Sequence, residues 1–138
     1  MIDFQNFKKA QYMTKRMTIL KESCELNGLN INYLFGLFNY YNQKNRGRWF
    51  WQKAVFTGAI KEKYDSVNSQ ADELVKSLKD IDESTFNDRV KIISSLLNDL
   101  MIKMEENLGI DRSIDRNKVE GFLDANMSAL IRDSLGTV

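Results

Sequence analysis

The sequence predicts an all-α protein, folded as a helical bundle of about five helices. The chain of 138 residues contains no proline, although an average composition would supply about seven. Because proline breaks helices, its absence favours long ones. Apolar residues also recur at three- and four-residue spacing along most of the chain, and glycines stand where several of these runs end. Together these observations favour helices joined by short connections.

The first periodic segment runs from about residue 3 to residue 26. Gly28 follows it in the position of a left-handed helix stop, and Asn30 is placed to cap a second helix. This second helix, roughly residues 31 to 43, is apolar nearly all round, so we expect it to be buried. The spacing that defines the first helix is carried by Ala10, Met13, Met17, Leu20 and Cys24.

A polar loop is predicted for residues 42–48, and a long helix is predicted to begin at Trp49. Its apolar spacing is consistent with a helix of about 30 residues and about 45 Å. Trp49 then lies on the stripe of this helix that faces the core. The stripe consists of Trp49, Phe56, Ile60, Val67, Ala71, Leu74 and Leu78.

The fourth predicted helix has the clearest pattern in the chain. It follows a capping box of Thr85 and Asp88 and ends at Gly109. Its heptad-like seam consists of Phe86, Val90, Ile93, Leu97, Leu100, Met104 and Leu108. A last helix can bury Val119, Phe122, Leu123 and Leu130 before Gly136 ends it. We expect one all-α domain over residues 1–138, either a bundle within one chain or an elongated, intertwined oligomer.

Charge is distributed unevenly, although the net charge is only +1. Residues 1–63 carry 11 Lys and Arg against 4 Asp and Glu, whereas residues 64–138 carry 9 against 15. A basic half raises the expectation of nucleic-acid contact. The alternative is that the two oppositely charged halves pack against each other or against a second copy.

The most suggestive local feature is the segment 44–53, in which cations precede a predicted helix start that carries two tryptophans. Guanidinium groups and a helix N-terminus attract phosphate, and tryptophan can stack on bases. The alternative is that Trp49 packs in the core while Arg46 and Arg48 lie in a solvated loop. The candidate nucleic-acid contacts are Lys8, Lys9, Lys15, Arg16, Lys44, Arg46, Arg48, Trp51 and Lys53.

Aromatic side chains around this segment also suit a protein interface, because Tyr, Trp, Phe and Arg dominate interface energetics. The candidate interface residues are Tyr33, Phe35, Phe38, Trp49, Phe50, Trp51 and Val55. Our first hypothesis is therefore a non-enzymatic helical protein-protein interaction protein, an assembly factor, inhibitor or structural component that binds a partner or itself. Its Asn-, Lys- and Ile-rich composition resembles that of viral or mobile-element proteins. The alternative is a nucleic-acid-binding accessory protein that uses the basic N-terminal half.

The sequence argues against several kinds of catalytic and metal site. The chain has no histidine and one cysteine, Cys24, which falls on an apolar stripe without an activating base. Asp111 begins a run that imitates a calcium loop but lacks its glycine and glutamate, so we interpret it as a capped turn. Glu105 and Glu106 are interpreted as a solvated helix end. We expect no enzyme activity, no cofactor, no metal, no membrane span and a cytoplasmic location.

Overall fold

The computed structural model describes residues 2–49 and 54–122, and within these ranges it contains helices and no strand. The all-helical prediction is therefore confirmed for the described residues. The described residues form six helices: α1 (Phe4–Lys8), α2 (Tyr12–Leu26), α3 (Ile31–Asn45), α4 (Gly58–Lys76), α5 (Glu83–Leu108) and α6 (Arg112–Glu120). None of them is long and apolar enough to cross a membrane.

Local sequence signals define most of the helix ends. Gly28 and Gly109 have φ angles of 71° and 68°, the left-handed conformation that glycine adopts without steric cost. The Asn30 side chain accepts a hydrogen bond from the Tyr33 N–H at 3.2 Å and so caps α3. At the start of α5, the predicted capping box is wrong. The cap is Asp82, which accepts from the Thr85 N–H at 2.7 Å.

The predicted first helix is two helices, because the chain leaves the helical conformation at residues 9–11. This break lets α1 turn back so that Phe4 and Phe7 pack against Phe86, with ring centroids 5.1 and 5.3 Å away. Residues 123–138 lie outside the described residues, so the predicted burial of Leu123 and Leu130 does too.

The long helix predicted from Trp49 begins instead at Gly58 and has 19 residues. Residues 54–57 are not helical. Phe56 packs against Phe38 and Tyr41 of α3, with ring centroids 5.5 and 5.2 Å away. The Ala54 N–H donates to Asn42 Oδ1 at 2.8 Å. These contacts with α3 replace the helical hydrogen bonds that the apolar spacing predicted. The longest described helix is α5, with 26 residues.

The helices pack around α5, which contacts α2, α3 and α4. Helices α4 and α5 are antiparallel, because Lys63 pairs with Asp99 near one end and Arg89 pairs with Glu73 near the other. Buried residues form two apolar clusters. One joins α2, α3, the N-terminal half of α4, the C-terminal half of α5 and α6. The other joins α1, α2 through Ile19, the C-terminal half of α4 and the N-terminal part of α5.

Candidate interaction surfaces

Two of the predicted interface residues lie in the core. Tyr33 and Phe38 are 0% and 2% exposed. Tyr33 donates a hydrogen bond from its hydroxyl to the buried Glu105, and Phe38 packs on Phe56. Their assignment to an interface is therefore wrong. Helix α3 lies between α5 and α6, and Tyr33 and Phe38 are buried in contacts within the chain.

Phe35 is also buried, but it lies at the bottom of a surface groove between α2 and α3. This apolar groove has a volume of about 410 Å³ and is lined by Met13, Thr14, Met17, Thr18, Lys21, Ile31 and Phe35. Met13, on one wall, is 37% exposed. Phe35 is therefore a predicted interface residue of α3 that borders an open surface feature.

The segment that connects α3 to α4 exposes two other predicted interface residues. Trp49 is 49% exposed and Val55 is 75% exposed. The prediction that Trp49 lies on a core stripe is therefore wrong, because the helix that would carry that stripe begins at Gly58. The Arg48 guanidinium lies over the Trp49 ring, 5.4 Å from its centroid. Phe50, Trp51 and Lys53 lie outside the described residues.

Arg16 is the one described member of the predicted nucleic-acid set that is buried, with 1% exposure. Its guanidinium donates to the Asn68 carbonyl and side-chain oxygens at 3.2 and 3.1 Å. It also lies 3.9 Å from Asp72. Its assignment as a phosphate contact is therefore wrong, because these groups of α4 hold it inside the bundle.

The other predicted phosphate contacts are divided between the two ends of the bundle. Lys44 donates to the Asn107 carbonyl at 3.0 Å, so Lys44, Arg46 and Arg48 lie near the C-terminal end of α5. Lys8 follows Phe7, which packs on Phe86 near the N-terminal end of α5. The length of α5 between these contacts is about 30 Å. The predicted basic residues therefore do not form one continuous surface.

At the α1 end, the fold brings together lysines that are distant in sequence. A cleft of about 320 Å³ is lined by Lys8, Tyr12, Lys15, Val75, Lys76, Leu78 and Lys79, and we call it the lysine cleft. Sequence reasoning identified Lys8 and Lys15 but missed Lys76 and Lys79, which belong to the acidic half of the chain. No local signal links the two pairs, since only the packing of α2 against α4 makes them neighbours.

The buried Glu105 carboxylate of α5 forms an ion pair with the partly exposed Arg112 of α6 and accepts a hydrogen bond from Tyr33 of α3. Arg112 donates from Nε and Nη2 to the two carboxylate oxygens of Glu105 at 2.8 and 2.7 Å, and from Nη1 to Asn98 at 2.8 Å. Burial and the hydrogen bond to Glu105 raise the pKa of Tyr33. Glu105 is 6% exposed, so its interpretation as a solvated helix end is wrong. The carboxylate is paired with Arg112, and this arrangement fixes the start of α6.

The remaining candidates for a reactive or metal-binding residue, Cys24 and Asp111, have structural roles. Burial raises the pKa of the Cys24 thiol to about 12, which leaves it protonated and unreactive at neutral pH. Asp111 accepts a hydrogen bond from the Ser113 N–H at 2.9 Å, so its interpretation as a helix cap is confirmed. Within residues 2–49 and 54–122, no cluster of three or more acidic or cysteine side chains is arranged to hold a metal ion.

No protein-family model matches this chain, and no curated protein or solved structure shows significant similarity to it.

Proposed function

We propose that this chain is a non-enzymatic helical interaction protein that binds an amphipathic helix of a partner protein in the apolar groove between α2 and α3. In this proposal it acts in the cytoplasm as an assembly factor, inhibitor or structural component. The observation that carries the proposal is the groove itself, whose walls are formed mainly by Met13, Met17, Ile31 and Phe35.

The shape and chemistry of the groove suit a helix. Helices α2 and α3 form its two sides, and a helix of the partner can pack its apolar face between them. Methionine side chains adapt to irregular apolar surfaces, so Met13 and Met17 can adjust to a partner. Lys21 lies on the lining, where it can pair with a carboxylate beside the partner's apolar stripe. The expected partner is therefore an amphipathic helix with at least one acidic residue next to its apolar face.

The test is selection of binders from a display library of amphipathic helical peptides. We expect selected peptides to share apolar residues at helical spacing and to shift the amide resonances of α2 and α3. Met13→Asp should weaken binding at least about tenfold, because it places a charge in an apolar contact. Ile102→Asp is the matched control, since Ile102 is 38% exposed on α5, away from the groove.

Two results would contradict the proposal. One is a selection that enriches no helical spacing. The other is a set of selected peptides that bind Met13→Asp and wild type equally, since the groove would then not be their site.

A second candidate function is nucleic-acid binding by the segment that connects α3 to α4. It is favoured by Trp49, which exposes about half of its surface next to the Arg48 guanidinium. An exposed indole can stack on an unpaired base while neighbouring cations contact phosphates. Arg46 is also exposed in this segment. This function would use the end of the bundle opposite to the lysine cleft.

A further inference from the structure

We propose that the lysine cleft binds an anion with clustered phosphate groups, either a free oligophosphate or the backbone of a nucleic acid. This site is separate from the apolar groove and does not depend on it. Four lysines line one cleft: Lys8 and Lys15 come from α1 and α2, and Lys76 and Lys79 come from the end of α4 and the turn after it.

The balance of charge in the cleft favours an anion. Lys76 lies 2.9 Å from Asp72, and Asp72 also accepts a hydrogen bond from Tyr12 and pairs with Arg16. Among the described residues, the ion pairs include none that involves Lys8, Lys15 or Lys79. The one carboxylate that contacts the lining, Asp72, is thus shared by several donors. The Lys8 ammonium lies 4.5 Å from the centroid of the Phe4 ring, which does not neutralise its charge, and among the described residues no carboxylate pairs with Lys15 or Lys79.

The start of α2 adds a second source of positive potential. Tyr12, the first residue of α2, lines the cleft. The residue before it, Gln11, makes no side-chain hydrogen bond to the first turn. The N-terminal amides of this 15-residue helix therefore lack a side-chain acceptor, and the positive end of the helix dipole lies next to the lysines.

The size and lining of the cleft indicate the kind of anion. A volume of about 320 Å³ is large enough for several phosphoryl groups. Lysine contacts phosphate as a point charge and does not require one fixed geometry. Val75 and Leu78 supply the apolar wall of the cleft and are 7% and 4% exposed. An apolar wall lowers the local dielectric, which strengthens the attraction between ammonium and phosphate.

The test measures binding of inorganic triphosphate by calorimetry and of a labelled single-stranded DNA oligonucleotide by fluorescence anisotropy, each at several salt concentrations. The variant is Lys15→Gln/Lys79→Gln, which spares the Lys76 ion pair. The matched control is Lys91→Gln/Lys118→Gln, which removes the same charge from exposed lysines that do not line the cleft. Circular dichroism checks that both variants remain helical.

We expect the cleft variant to weaken triphosphate binding about tenfold. For DNA, it should lower the slope of log affinity against log salt by about 1.4, the value for two lost phosphate contacts on a single strand. The control should change neither quantity appreciably. Triphosphate binding alone would identify a free phosphorylated ligand. DNA binding that triphosphate displaces and that the cleft variant weakens would identify a nucleic-acid backbone.

The proposal is overturned if wild type binds neither probe at low salt. It is also overturned if the cleft variant and the control lose affinity equally, because net charge would then account for binding.

Discussion

The backbone carbonyl of Val119 in α6 lies directly against Gly36 in α3, at a position where a Cβ atom on residue 36 would overlap the carbonyl oxygen. Helices α3 and α6 approach this closely because Gly36 has no side chain. The overlap involves backbone, so trimming the Val119 side chain cannot relieve it.

Gly36→Ala should therefore lower the free energy of unfolding by about 1 to 3 kcal/mol, the usual effect of overpacking. Alanine normally stabilises a helix interior by about 0.5 to 1 kcal/mol relative to glycine, so the sign of the change is diagnostic. Urea denaturation gives the free energy, and hydrogen exchange reports whether α6 loses protection. Equal or greater stability of the variant would show that α6 does not pack this closely on α3.

Arg112→Met should lower the free energy of unfolding by about 3 kcal/mol, because it leaves the buried Glu105 carboxylate without its cation. Glu105→Gln/Arg112→Met should recover most of the loss, since the unpaired charge is then gone. Lys61→Met is the surface control. Lys61 lies 2.7 Å from Asp65 and its side chain is 57% exposed, so we expect a loss of less than about 1 kcal/mol. Equal losses for Arg112→Met and Lys61→Met would show that the Glu105 pair is no more important than a surface pair.

Asp72 should make stability depend on acid pH. The hydrogen bond from Tyr12, followed by that from Lys76, lowers the pKa of Asp72 from its ordinary value of 3.8. A lowered pKa in the folded state contributes stability that is present above 3.8 and is lost as the pH falls below it. The stability difference between wild type and Asp72→Asn should therefore be larger at pH 7 than at pH 3.

Urea denaturation at the two pH values measures this difference. Asp65→Asn is the control, because Asp65 and Lys61 form a surface pair with 56% and 57% of their side chains exposed, and such pairs contribute little. A stability difference for Asp72→Asn that is constant between pH 7 and pH 3 would contradict the role assigned to the carboxylate.

Arg46→Ala/Arg48→Ala tests the second candidate function. If the connecting segment contacts DNA, the double variant should lower the slope of log affinity against log salt by about 1.4 for single strands. Its mass in sedimentation should equal that of wild type, because neither side chain is buried. Wild-type DNA affinity in the double variant would remove Arg46 and Arg48 from the phosphate contacts.

The sequence predicted the features that depend on local spacing. Gly28, Asn30 and Gly109 have the roles expected of them, and the seam of α5 is buried as its heptad-like pattern indicated, with Leu97 at 1% exposure. These features follow from backbone geometry within a few residues. The all-helical class follows from the same spacing.

Features that depend on tertiary packing were not predictable in this way. The apolar spacing could not show that Phe56 packs on aromatic residues of α3 in a non-helical segment. It therefore predicted a helix from Trp49 and a core position for that residue. The sequence pattern predicts Arg16 on a basic surface, because its partner Asn68 is 52 residues away and no local signal links the two. The lysine cleft was missed for the same reason, since Lys15 and Lys79 become neighbours only through the fold.

Helix α5 contributes to both apolar clusters: Phe86, Val90 and Ile93 belong to one, and Leu97, Leu100 and Met104 belong to the other. Helices α2 and α4 also reach both clusters, through Ile19 and Leu20 in α2 and through Val67 and Ala71 in α4. Three helices therefore connect the two clusters, so neither end of the bundle can open without loosening all three. We expect the amide hydrogens in the middle of α5, between Ile93 and Leu97, to be among the slowest to exchange.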